Sequence, residues 1–118
     1  MINQQLVQNF QLAPEHNNPE YTIFLRTLVM QYDYNEILNQ FIPIIEDEGI
    51  QLKIRFSAYY SCSIFFRRNN KFEEMVELAN KYSQYFIQYP LNNIYYHLLK
   101  YSLHSVCHSP LYFFYYTV

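Results

Sequence analysis

Apolar residues recur at helical spacing along most of the chain. Tyr21, Phe24, Leu25, Leu28, Val29 and Tyr32 follow an i, i+3, i+4, i+7, i+8, i+11 order that gathers them on one face of a helix. Asn18 as cap, Pro19 in the first turn and Glu20 against the positive end of the helix dipole mark its start. Tyr34, Ile37, Leu38, Phe41, Ile42 and Ile45 repeat the spacing behind Asp33 and Glu36, a capping-box pair. Pro43 lies inside this second run, where its missing N–H and its ring predict a kink or an early end near Ile42. The single glycine, Gly49, follows the acidic Glu46-Asp47-Glu48 and predicts a left-handed C-cap or turn.

Residues 50–58 carry two patterns at once. Ile50, Leu52, Ile54, Phe56 and Ala58 alternate with Gln51, Lys53, Arg55 and Ser57, the period of a half-buried strand. Leu52, Phe56, Tyr59, Tyr60 and Ile64 also share a helical face. The helix is the better reading, because no second alternating segment exists to pair with a lone strand. After a break at Arg67-Arg68-Asn69-Asn70, Asn70 is expected to cap a helix that Glu73 answers from the third position. Phe72, Met75, Val76, Leu78, Ala79, Tyr82, Tyr85 and Phe86 line its apolar face up to Pro90. A further helix opens at Asn92 or Asn93 and runs to about His108, with Pro110 as terminator.

Five helices with short connections imply an all-α fold of antiparallel neighbours. Residues 1–18 form a polar, Asn/Gln-rich N-terminal arm, short and open to a helical reading before a loop at Pro14-Glu15-His16-Asn17-Asn18, 19–110 the helical domain, and 111–118 an aromatic C-terminal segment, too apolar for a free tail and readable as a truncated helix or a partner-binding surface. The length suits one core. Its 14 Tyr and 10 Phe supply bulky packing material, while one Gly in 118 residues leaves nothing from which to build a phosphate cradle. A net charge of -2, with Arg67-Arg68 as the only cationic cluster, argues against direct nucleic-acid binding. No apolar run approaches the roughly 20 residues of a membrane-crossing helix. Cys62 and Cys107, without a leading signal core, read as reduced, buried thiols of a cytoplasmic protein.

Residues 56–90 resemble a tetratricopeptide-like helical hairpin: an aromatic-rich first helix, a turn at Asn69-Asn70-Lys71-Phe72-Glu73-Glu74, a second helix and a closing proline. Tyr60 and Met75 stand where that family places small residues. Corresponding starts near Asp33 and Asn70, and near Gly49 and Pro90, lie roughly 37 to 41 residues apart, against a family period of about 34. The pattern is thus an irregular alpha-alpha repeat. Such Tyr/Phe/Asn-rich hairpins, here over about residues 33–108, look like the helical-repeat sensor regions of Rgg/PlcR-type regulators of low-GC Gram-positive bacteria, or of Mga-type regulators. That resemblance implies the sensor or dimerisation part of a transcription regulator, detached from any helix-turn-helix domain.

The chemistry-bearing clusters are weaker than this packing pattern. His104 and His108 share a helical face at i, i+4 with Cys107 beside them and His97 upstream, but no carboxylate of that helix would orient an imidazole for zinc. A Cys107 nucleophile served by His104 or His108 lacks an orienting group. Glu46-Asp47-Glu48 lacks the ligand spacing of a calcium loop. The expectation is therefore a non-catalytic module without metal or cofactor. It would bind a protein or short peptide on a helical-repeat surface whose Tyr and Asn pair backbone groups while aromatic rings cover apolar side chains. Candidate contacts are Tyr59, Tyr60, Arg67, Tyr82, Tyr85, Asn93 and Tyr96. A structural or oligomerisation domain, such as a homodimer, and a metal enzyme built on His97, His104 and Cys107 are the competing readings.

Overall fold

The computed structural model describes residues 2–87, all of whose regular elements are helical. These are α1 (Gln4–Gln11), α2 (Pro19–Val29), α3 (Tyr34–Glu36), a π-wound segment (Ile37–Phe41), α4 (Ile42–Glu46), α5 (Leu52–Arg68), α6 (Phe72–Tyr82) and a 3₁₀ turn (Ser83–Phe86). The chain divides into two compact units after Phe65, inside α5. The expected helix from about Asn92 to His108 and the 111–118 segment lie outside the described residues.

In the first unit, the start of the N-terminal arm is the helix α1, and it is packed. Asn3 caps α1 by accepting the Leu6 N–H at 3.2 Å, and its amide donates to Gln40 Oε1 at 2.7 Å. Leu6 and Phe10, one helical turn apart, are fully buried. The Phe10 ring meets Phe41 edge-on at 5.7 Å, and Tyr32 meets the same ring edge-on at 5.0 Å. Two apolar positions among many amides are enough to dock a short helix when they lie on one face.

Helix starts follow the sequence closely at two places. Asn18 accepts the Glu20 N–H at 2.9 Å with Pro19 in the first turn, and Asp33 and Glu36 form the reciprocal capping box at 2.8 and 3.0 Å. Pro43 does not end the helix near Ile42. The chain widens into the π-wound Ile37–Phe41 segment and then continues as α4 to Glu46. Pro43 cannot donate and crowds the carbonyl one turn back, so a wider turn before it lets the helical path proceed. Pro43 thereby becomes a first-turn residue of α4, where its missing donor costs nothing.

The chain turns at Gly49 as expected, though not in the left-handed conformation, while Asn70 takes a different role from the expected cap. Gly49 is not left-handed; Asp47 closes that turn, its carboxylate accepting the Gly49 N–H at 2.8 Å and its carbonyl the Ile50 N–H at 3.1 Å. The left-handed residue is Asn70, with φ 57°. Its N–H bonds the Arg67 carbonyl at 3.2 Å, and the Lys71 N–H bonds the Phe66 carbonyl at 2.7 Å. This pair of bonds is a Schellman motif, so Asn70 terminates α5 instead of capping α6, which begins behind Lys71 with no side-chain cap. Asn is the residue best able to take this role after glycine.

Residues 50–58 contain no strand. From Leu52 onward they are the start of α5, whose residues 54–59 and 61–66 are all buried. Such a run covers every side of a helix, and a helix buried all round has no polar face to reveal its 3.6-residue period. Within the second unit, α6 buries Met75, Val76, Leu78, Ala79 and Tyr82. It does not stay α-helical to Pro90 but tightens into the 3₁₀ turn at Ser83, with Phe86 buried.

Two measurements check these assignments. Phe10→Ala is expected to lower unfolding stability by about 3–5 kcal/mol in urea titration, as for other buried Phe truncations; a loose arm would give less than about 0.5 kcal/mol. Asn70→Gly is expected to raise stability by a few tenths to about 1 kcal/mol, whereas Asn70→Val lowers it by about 1–2 kcal/mol, because a β-branched side chain is strained at positive φ.

Candidate protein-binding face

Helix α2 turns Tyr21, Leu25, Leu28 and Val29 into the core of the first unit. On the other side Ile23 is 54% exposed and Met30 67%, with Glu20, Arg26 and Thr27 also exposed. Ile23, Thr27 and Met30 stand at i, i+4 and i+7, so they form one outward stripe. Thr27 donates its hydroxyl back to the Ile23 carbonyl at 2.9 Å, which uses the one donor of that side chain.

An aromatic stack from α5 borders this helix. Tyr60, half-buried, lies parallel to Tyr21 at 5.8 Å and to Phe56 at 6.2 Å, while His16 meets Phe56 edge-on at 6.5 Å. The Tyr60 hydroxyl is 3.4 Å from Thr22 Oγ1, a weak contact that holds the phenol against α2. Deeper in, Tyr21 and Ser57 share a hydrogen bond of 2.8 Å between fully buried groups. The stack thus runs from the buried Tyr21 and Phe56 to the half-buried Tyr60.

The described sequence candidates separate by burial. Tyr59 (1% exposed) and Tyr82 (3%) are core residues, whereas Tyr60 and Arg67 are half-buried and Tyr85 is 43% exposed. Tyr59 and Tyr60 are neighbours on one helix, so they point about 100° apart and only one can reach the rim. In the second unit Tyr85 lies 6.3 Å from Tyr82 and 6.5 Å from Phe86, and Lys81 Nζ stands 5.2 Å from the Tyr82 ring centroid. Asn93 and Tyr96 lie outside the described residues, as do His97, His104, Cys107 and His108. Ile23 and Met30 escaped the sequence reading, although both fall off the apolar face of α2 and a helical wheel would single them out.

Among the described residues no group of three or more His, Cys, Asp or Glu is placed to hold a metal ion. No helix among them is long and apolar enough to cross a membrane. Cys62 is fully buried, and desolvation pushes its thiol far above the ordinary value of 9.0, so it is held as the protonated thiol. Partial burial, and then the nearby Glu36 carboxylate, raise the Tyr32 phenol. No family model matches the chain, and no curated protein or solved structure is significantly similar to it.

The Cys62 thiol carries a testable pH dependence. The unfolded chain loses this proton near pH 9 while the folded chain keeps it, so stability from this group is complete below pH 9 and declines above it. The limiting slope is about 1.4 kcal/mol per pH unit. Denaturant titrations from pH 7 to 10 should show the decline, and Cys62→Ala, though less stable at pH 7, should decline less steeply between pH 9 and 10.

Proposed function

We propose that the chain is a non-catalytic helical module that binds another protein or a short peptide through the outward stripe of α2, with the half-buried Tyr60 as a second contact. The observation that carries this reading is the exposure of Ile23 and Met30 on a helix whose opposite face is closed in the core. An isolated exposed apolar residue is ordinary, but two on one stripe make a surface that gains by being dried. Tyr60 suits a rim because its ring is apolar and its hydroxyl stays hydrogen-bonding.

The finer architecture we infer is an irregular tetratricopeptide-like repeat of helical pairs. The short Asn69–Lys71 connection between α5 and α6 is consistent with it, since brief connections favour antiparallel neighbours. The resemblance to regulator sensor regions makes a short peptide the favoured ligand and a cytoplasmic setting the natural one, where the Cys62 thiol stays reduced.

The test is affinity selection of a displayed random peptide library on the whole chain, with Ile23→Ser/Met30→Ser as the counter-target. Both side chains are exposed, so the double variant should keep the parent's circular dichroism and unfolding midpoint. Enriched peptides with aromatic or aliphatic anchors that bind the variant at least about tenfold more weakly would support the proposal; that loss corresponds to about 1.4 kcal/mol. Absence of enrichment, or equal binding to the variant, would overturn it. Light scattering over a concentration series gives the competing outcome, since a dimer dispersed by the same two substitutions would make the partner a second copy of the chain.

A further inference from the structure

We draw no further inference here: the strongest candidate, the exposed patch of Tyr85 and Ile87 at the Ser83–Phe86 turn, is an apolar surface for which nothing in the structure shows what covers it.

Discussion

The constraint on which the first unit depends is that α5 is buried over residues 54–59 and 61–66 while carrying polar residues there. A buried hydroxyl or guanidinium without a partner costs more than its hydrogen bond returns, so each must be answered inside the protein. Ser61 donates to the Ser57 carbonyl at 2.7 Å, and Ser63 reaches the Tyr59 and Tyr60 carbonyls at 3.1 and 2.9 Å. These serines satisfy themselves on the helix that bears them and so behave as small core residues. Ser57 instead bonds Tyr21, and Arg55 Nε donates to the Ile45 carbonyl at 2.8 Å. These last two bonds are directional and join separate helices, tying α5 to α2 and α4. The Arg55 bond also satisfies a carbonyl in the last turn of α4, where no helical N–H remains to do so and a cation is favoured.

A second theme is how a chain almost without glycine turns corners. Asparagine takes over much of the punctuation. Asn3 and Asn18 cap α1 and α2, and Asn70 adopts the left-handed conformation that ends α5. Its short side chain can bond the nearby backbone at helix starts and tolerates positive φ at helix ends, so one residue type serves both. At Gly49, where the freedom to turn left is present, it goes unused because the Asp47 carboxylate closes the loop. The π-wound segment before Pro43 is a further economy, converting an interior proline into a first-turn one without ending the helix.

For function, the useful division is between aromatic residues that build the core and those that meet solvent. Tyr21 and Tyr59 are framework in the first unit and Tyr82 in the second, whereas Tyr60 is half-buried and Tyr85 exposed. The buried Cys62, far from a thiolate, belongs to the framework as well. The exposed apolar stripe of α2 is instead aliphatic, formed by Ile23 and Met30.

The sequence alone determined the helical class, the starts of α2 and α3 and the inward face of α2, because caps and the 3.6-residue period are local and written in neighbouring residues. It also contained the choice of helix for residues 52–58, since a strand there had nothing to pair with. Tertiary structure decided which Tyr of the adjacent pair 59 and 60 faces water, that Leu6 and Phe10 make a core helix from an amide-rich segment, and that Asn70 closes α5 while Gly49 stays ordinary. Each of these depends on what packs against the residue or on which carbonyl its backbone reaches. Such partners lie elsewhere in the fold, and no window of neighbouring residues contains them.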